Sequence, residues 1–404
     1  MDTIIVAVFA LVYLGMLLGG LPGLALDRTG VALLGAIVLV ASGRTSAEAA
    51  WRSVDVPTIG LLLGLMVVSA QFRLGGAYAA ITRRLSILSV SPDALLALVI
   101  AVSAALSAVL ANDIVCLAAA PLLIEGCAKR GLKPKPFLLA LACASNVGSA
   151  ATLIGNPQNM LIAQKLRISF AGYLLDGGVP ALLGCGVIWW VIRQSTRRDW
   201  FEPPADIHVE APAFNPWQTA KGTLITLGLM VAFLFAPWPR EVVALAAAGV
   251  VLLSRRMHTR YMLALIDWSL LVLFIGLFVV NEALAATGIL SQSMESLSAK
   301  GMDVSHPAWL FGITVVFSNL VSNVPAVMLL LPAATHPLGG SILALSSTLA
   351  GNLLIVGSIA NIIVVDQAAR LGVRISWSDH ARIGIPVTLG TLAIAASWLW
   401  LRSA

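Results

Sequence analysis

Apolar residues run along this chain in long stretches, without the one-sided stripe of a soluble amphipathic helix. Stretches at about 3–20, 29–43, 57–72, 93–110, 113–128, 136–163 and 171–192 read as helices. A second series follows at about 222–237, 242–254, 268–281, 308–320, 323–334, 343–366 and 383–401. One membrane helix needs about 20 apolar residues, so these are spans or pieces of spans. Between the two series, residues 193–221 hold Arg193, Arg197, Arg198, Asp199, Glu202, Asp206 and Glu210, with prolines at 203, 204, 212 and 216. This stretch reads as a polar linker. The segment around 74–88 reads as an amphipathic helix along the membrane interface.

The two series repeat one another. Arg28-Thr-Gly-Val-Ala-Leu matches Arg240-Glu-Val-Val-Ala-Leu, an offset of 240 − 28 = 212. The fourteen residues from Asp55 match those from Asp267 without a gap, again 267 − 55 = 212. Asn112, nine residues before Pro121, matches Asn323, nine before Pro332, with 323 − 112 = 211. Gly155, four before Asn159, matches Gly357, four before Asn361, with 357 − 155 = 202. Four landmarks in one slowly shrinking register point to an internal duplication.

Composition then narrows the class. Of 404 residues, 59% are hydrophobic and 11% charged, against about 45–50% and about 25% in soluble domains. So little charge cannot cover a water-soluble domain of this size, which excludes a soluble enzyme, a disordered chain and a nucleic-acid binder. The net charge of +6 follows from basic loops, as the positive-inside rule expects of a multi-pass protein in a bacterial inner membrane. Those loops carry Arg73, Arg83 and Arg84; Lys129, Arg130, Lys133 and Lys135; Arg193, Arg197 and Arg198; Arg255, Arg256 and Arg260; and Arg370, Arg374 and Arg382. All fall on the cytoplasmic side only if runs 93–110 and 113–128 form a re-entrant hairpin that enters and leaves on one face. The pair 308–320 and 323–334 would then enter from the opposite face. Each half has five crossings, an odd number, so the second half is inverted and both termini lie outside.

The expected fold class is therefore an all-α polytopic membrane protein of two inverted repeats. Repeat one is 1–192, with scaffold helices in 3–72, hairpin 93–128 and broken helix 136–163. The linker 193–221 is cytoplasmic. Repeat two is 222–404, with scaffold helices in 222–281, hairpin 308–334 and broken helix 343–366. Such repeats place transport sites near the midplane, at the repeat interface.

Polar residues at apolar depth mark the candidate chemistry. The hairpin tips read Ala111-Asn112-Asp113 and Ser322-Asn323-Val324. The broken helices carry Ser145 and Asn146, then Gly155, Asn156 and Asn159, and in the second half Asn352, then Gly357, Ser358 and Asn361. Gly, Pro and Asn favour an unwound stretch there, whose freed backbone groups are tolerated where they line a cavity. Four symmetry-related breaks converge on one substrate site. Asp113, a carboxylate in an apolar run, is the candidate to take a coupling proton or cation. Glu125, Glu282 and Asp366 lie near helix ends, and the histidines at 208, 258, 306, 336 and 380 sit in loops or at span ends, where solvation is the expectation. Cys116, Cys127, Cys143 and Cys185 form no metal or CxxC spacing.

Lys and Arg are absent from 85–128, 136–164 and 301–369. A multivalent anion would have to rely on helix N-termini, amides and a co-bound cation, so a neutral hydroxyl-rich solute or a cation fits more easily. No GxxxxGK[ST] loop is present, which argues against a built-in ATP motor while leaving a partner ATPase subunit open.

At these residues the sequence resembles the ion transporter superfamily, which includes arsenite-efflux permeases, plant silicon-efflux relatives, sodium/proton antiporters and divalent-anion/sodium symporters. Ala-Asn-Asp at 111–113, Ser-Asn-Val-Pro at 322–325, Gly-Asn-Pro-Gln-Asn at 155–159 and Gly-Ser-Ile-Ala-Asn at 357–361 carry the resemblance. The first is similar to the arsenite-permease and antiporter branches. The third looks like the anion-permease, citrate-transporter-like branch. The resemblance implies a secondary active transporter with no enzymatic activity and no cofactor beyond a coupling H+ or Na+. It implies a homodimer in the bilayer, working by an elevator-like step, with a small inorganic oxyacid or anion as substrate. Asn112, Asn146, Asn159, Asn323, Asn352 and Asn361 would line the site, and Asp113 would bind the coupling ion. Proton-coupled efflux of arsenite or antimonite leads; sodium-coupled uptake of citrate, a dicarboxylate or sulfate, and sodium/proton antiport, are the alternatives.

Overall fold

Capping side chains set several of the helix starts. The computed structural model describes residues 2–196, 199–254 and 257–403, so the basic pairs Arg197–Arg198 and Arg255–Arg256 used above lie outside the described residues. Among the described residues, ten α-helices precede the linker: α1 (Asp2–Leu18), α2 (Arg28–Ala41), α3 (Ala47–Ser53), α4 (Val56–Leu74), α5 (Ala77–Ile87), α6 (Pro92–Val109), α7 (Asn112–Lys129), α8 (Pro134–Ser149), α9 (Pro157–Lys165) and α10 (Phe170–Thr196). Ten follow it: α11 (Pro216–Phe235), α12 (Arg240–Leu252), α13 (Thr259–Leu263), α14 (Trp268–Ala286), α15 (Ile289–Ala299), α16 (Pro307–Val321), α17 (Asn323–Leu330), α18 (Gly339–Ala350), α19 (Ile359–Arg370) and α20 (Trp377–Ser403). The all-helical expectation holds.

The two sets correspond one to one. Asp55 Oδ1 caps α4 by accepting the Thr58 N–H at 2.8 Å, and Asp267 Oδ1 caps α14 by accepting the Leu270 N–H at 2.9 Å. The packing is reciprocal as well: α2 lies on α14 while α12 lies on α4. Glycine permits both contacts. A Cβ on Gly64 would sit 2.6 Å from the Ala244 carbonyl carbon, and one on Gly276 would sit 2.7 Å from that of Ala32. The offsets 276 − 64 and 244 − 32 are both 212. Close backbone approach through small residues is how helices associate where no hydrophobic force separates protein from lipid.

Among the described residues, six helices, α4, α6, α10, α11, α14 and α20, are long and apolar enough to cross a bilayer by length and composition. Outward leucine and phenylalanine side chains complete the picture, with Leu182 at 75% and Phe235 at 80% exposure. Apolar surface on this scale suits lipid, and the chain is a multi-pass membrane protein.

Both long polar-broken runs divide. Residues 150–156 separate α8 from α9, and residues 351–358 separate α18 from α19. The run at 323–334 also breaks, into α17 and a short 3-10 turn over Leu331–Ala333, where Pro332 lacks the N–H that would continue the α-helix. Helices α3, α13 and α15 are additions to the sequence reading; they are short and carry too few apolar residues to stand out. The linker is strapped to the body. The Lys133 N–H donates to the Trp200 carbonyl at 2.8 Å, the Glu202 N–H to Gly131 at 2.9 Å, and the Asn215 N–H to Gly75 at 2.9 Å. Trp200 is buried against Phe137, ring centres 5.6 Å apart.

Candidate functional site

Four helices begin at the same place. The N-termini of α7 and α17 are the hairpin tips, and those of α9 and α19 end the two unwound stretches. Asn156 caps α9 by accepting the Asn159 N–H at 2.9 Å, and Ser358 caps α19 by accepting the Ala360 N–H at 3.2 Å. These caps are 358 − 156 = 202 residues apart. Each N-terminus offers partial positive charge and unpaired N–H groups.

Two buried amide clusters tie the ends together. In the first, Asn146 of α8 donates to Asn352 Oδ1 at 2.8 Å and to Asn361 Oδ1 at 3.2 Å, and accepts from Ser358 Oγ at 2.7 Å. Asn112 Nδ2 reaches Asn146 Oδ1 at 3.5 Å. Asn361 Nδ2 in turn donates to the Gly351 and Leu354 carbonyls at 2.8 and 3.1 Å, closing the unwound loop. In the second cluster, Thr348 of α18 accepts from Asn156 Nδ2 at 3.2 Å and Gln158 Nε2 at 3.1 Å and donates to Asn159 Oδ1 at 3.4 Å. Asn159 Nδ2 donates to the Thr152 carbonyl at 2.9 Å and the Tyr173 hydroxyl at 3.3 Å. Asn323, its amide turned to satisfy both atoms, donates to the Gly357 and Ser347 carbonyls, each at 3.2 Å, and accepts from Gln158 Nε2 at 3.2 Å. A buried polar network of this kind fixes the four helix starts relative to one another.

The tips also differ. Ser322 holds φ of 77° with ψ of 161°, while its partner position Ala111 has φ of −58°. Backbone in the Ser322 region costs a non-glycine residue about 1–3 kcal/mol and gathers at functional sites.

Most of the residues singled out from sequence are drawn together here: Asn112, Asn146, Asn156, Asn159, Asn323, Asn352, Ser358 and Asn361 make the clusters, and Gly357 supplies a carbonyl. Four stand apart from them, the strained Ser322 of the second tip being one. Ser145 donates to the Ala142 carbonyl at 2.9 Å and accepts from the Cys116 thiol at 3.1 Å, so it packs α8 on α7. Gly155 is a close-packing position, where a Cβ would lie 2.3 Å from the Ser149 carbonyl oxygen. Asp113 joins neither cluster. It lines a cavity of about 230 Å³ with Asn112, Asn156, Arg73 and Asp267.

Three of the residues missed from sequence are Thr348, Gln158 and Tyr173. The offset 348 − 146 = 202 pairs Thr348 with Asn146 and would have found it. Arg73 is a fourth, and it enters from the scaffold helix α4. The expectation for the histidines fails at His380. It is buried, and its ring Nε2 lies 3.0 Å from the Asn352 carbonyl, because α20 packs on α18 immediately before the unwound stretch.

A deep polar core of uncharged amides, bounded by four helix starts and one carboxylate-bearing cavity, is the arrangement of a solute carrier. The citrate transporter family, CitMHS, matches residues 11–342. The chain belongs to this family. An uncharacterized transporter of Mycobacterium tuberculosis is 30% identical over 93% of this chain and 94% of its own length. The silicon efflux transporter LSI3 of rice, Oryza sativa subsp. japonica, is 29% identical over 92% of each chain. The crystal structure of the Alcanivorax borkumensis YdaH transporter aligns with a TM-score of 0.58 and 14% identity, covering 98% of this chain and 96% of that one; at that identity the likeness concerns the fold. This CitMHS member is a membrane transporter, and its amide core occupies the part of the fold common to both halves.

Proposed function

We propose that the protein is a secondary active transporter that exports a small inorganic oxyacid of the arsenite or antimonite type against a proton gradient, in a bacterial inner membrane. The observation that carries this reading is the chemistry at the meeting point of α7, α9, α17 and α19. Amides, hydroxyls and helix N-termini offer hydrogen bonds to a hydroxyl-rich solute, and among the described residues no lysine or arginine takes part in either amide cluster. Rice LSI3, a silicon efflux transporter by name, is consistent with a solute of that class.

In this reading the repeats are inverted, the body holding α6–α9 and α16–α19 moves as the transport region, and α2, α4, α12 and α14 form the scaffold. Asp113 is the coupling group. It lies at the first turn of α7 in the cavity wall, within reach of an entering proton and beside Asn112. Protonation of Asp113 and occupation of the amide core are alternatives that alternate access converts into exchange.

A second reading is sodium-coupled import of citrate or another carboxylate. The family name and the presence of Arg73 in the cavity wall favour it, since a guanidinium recognises carboxylates. Everted vesicles separate the two. Uptake of arsenite or antimonite driven by an imposed proton gradient supports the first. Sodium-dependent citrate or succinate flux with no arsenite uptake replaces it with the second, and sodium/proton exchange alone replaces both.

A further inference from the structure

The two faces of the repeat are built from matching residues but bonded differently. On one face, the end of α9 is held by the starts of two scaffold helices. Lys165 Nζ pairs with Asp55 Oδ2 at 2.7 Å, and Gln164 Nε2 donates to Glu241 Oε2 at 3.1 Å. The guanidinium of Arg240 donates to the Ala163 carbonyl at 3.4 Å and also to the Ile168 carbonyl.

The register identifies the counterparts on the other face. For the scaffold, 55 + 212 gives Asp267, 240 − 212 gives Arg28 and 241 − 212 gives Thr29. For the moving helix, 164 + 202 gives Asp366, 165 + 202 gives Gln367, which carries no charge, and 168 + 202 gives Arg370. None of the matching contacts is made among the described residues. Arg28 Nε donates to the Met16 carbonyl at 3.1 Å, and Thr29 Oγ1 to Ser269 at 3.2 Å. Asp366 pairs with Arg370 within α19 at 2.9 Å. Asp267 faces the cavity of about 230 Å³ that leads to Asn112 and Asp113. A second depression, lined by Arg44, Arg52, Lys165 and Glu282, has no tip residue in its wall.

We infer that Lys165, Gln164 and Arg240, bonded to Asp55, Glu241 and the α9 end, are positioning residues that hold the transport region against one face while the opposite face is open. The inference rests on the transport reading above for its purpose. In the other state the corresponding positions close the opposite face, with Arg28 at the end of α19 and Asp267 beside Gln367, where an amide replaces the lysine of the ion pair. Two related but unequal docking surfaces used in turn make a two-state element whose balance is set by the difference between them.

The test uses the full-length protein in lipid nanodiscs, where both faces meet solvent. A Leu265→Cys reporter stands in the cavity wall near Asp267, and its rate of alkylation by a charged maleimide measures how often that face is open; the parent without the reporter supplies the background from the native cysteines. Asp55→Asn and Lys165→Gln are expected to slow reporter labelling by about threefold or more, as loss of one latch shifts the population toward the other state. Asn at 55 keeps an oxygen for the Thr58 N–H, so loss of the helix cap is not the cause. Combining Asp55→Asn with Lys165→Gln is expected to slow labelling no further than either change alone, as for partners in one ion pair, and Arg28→Gln is expected to raise the rate. Unchanged labelling in both Asp55→Asn and Lys165→Gln overturns the latch, whatever the flux. Latch-dependent labelling in a protein that moves none of the offered solutes leaves the latch standing and removes the transport reading instead.

Discussion

Asn146 of α8 donates to Asn361 of α19 at 3.2 Å, while Thr348 of α18 donates to Asn159 of α9 at 3.4 Å. These are one contact made twice. The offsets 348 − 146 and 361 − 159 are both 202, and in each case a residue on the helix before the break in one half reaches the helix after the break in the other. The duplication therefore does more than double the chain. Each half completes the unwound segment of its partner, so neither half holds a finished site alone.

The first prediction follows from that crossing. Asn146→Ala strands partners from Asn352, Asn361 and Ser358 in a buried setting, and an unsatisfied buried polar group costs about 1–3 kcal/mol. Thr348→Val removes one partner each from Asn156, Gln158 and Asn159, while Asn156 keeps Ser149 and Gln158 keeps Asn323. Both variants are expected to unfold at lower temperature in detergent and to raise KM. Asn146→Ala should show the larger effect, because its bonds of 2.8, 3.2 and 2.7 Å are shorter than the 3.2, 3.1 and 3.4 Å bonds of Thr348. Equal unfolding temperatures in both variants and wild type would mean the clusters contribute nothing to holding the halves together.

The glycines at the helix crossings give a second prediction. Gly64→Ala and Gly276→Ala each force a methyl into backbone, at 2.6 and 2.7 Å, and overpacking of this kind costs about 1–3 kcal/mol. Because the two sites are related by the repeat, their losses should be alike. Gly249→Ala is the control: it meets nothing within 4 Å and lies in helix α12, where alanine is the better helix former. Thermal unfolding of the three variants checks the ranking.

Much of this was legible in the chain. Apolar runs mark the long helices because a bilayer leaves few other ways to pair the backbone. The Gly, Pro and Asn residues at 155–159 and 357–361 mark the breaks, and the slowly shrinking offset, from 212 to 202, marks the repeat. What escaped depends on packing. Arg73 sits at the end of a scaffold helix, far in sequence from the tips, and only the lean of α4 against α7 brings it to the cavity. Thr348 was hidden because its partner position carries Asn146, so identity matching passed over it. Ser145 and Gly155 have the composition of site residues, yet their side-chain directions serve helix packing. His380 looked like a span-end histidine until α20 packed on α18.

Coupling gives a third prediction. Asp113→Asn keeps the size of the side chain and removes its ability to carry a proton at working pH. The variant is expected to fold normally and to lose concentrative transport while keeping downhill exchange, and its flux should no longer vary with pH between 5 and 8. Counterflow and gradient-driven uptake in proteoliposomes distinguish the two activities. Gradient-driven accumulation at the wild-type level would assign coupling to another group.

The tips supply a fourth. Asn112→Ala and Asn323→Ala each remove one amide from the meeting point of four helix starts, and the loss of one hydrogen bond worth about 1 kcal/mol corresponds to a several-fold rise in KM. The turnover number should change less than KM if the amides act mainly on bound substrate. Wild-type KM in both variants would reduce the tips to packing elements.

Arg73 decides between a neutral and an anionic solute. Its guanidinium shares a cavity wall with Asp113 and Asp267, and two carboxylates on that wall leave it little net attraction for an anion unless one of them is protonated. If the transported species is a neutral oxyacid, Arg73→Gln should leave its KM within about twofold, since no charge-assisted bond is lost. If the species is citrate or another carboxylate, the same variant loses such a bond, worth about 1.5–3 kcal/mol, and KM should rise by roughly tenfold or more. Measuring arsenite and citrate flux side by side in this single variant, with and without sodium, therefore assigns the charge of the substrate independently of the coupling ion.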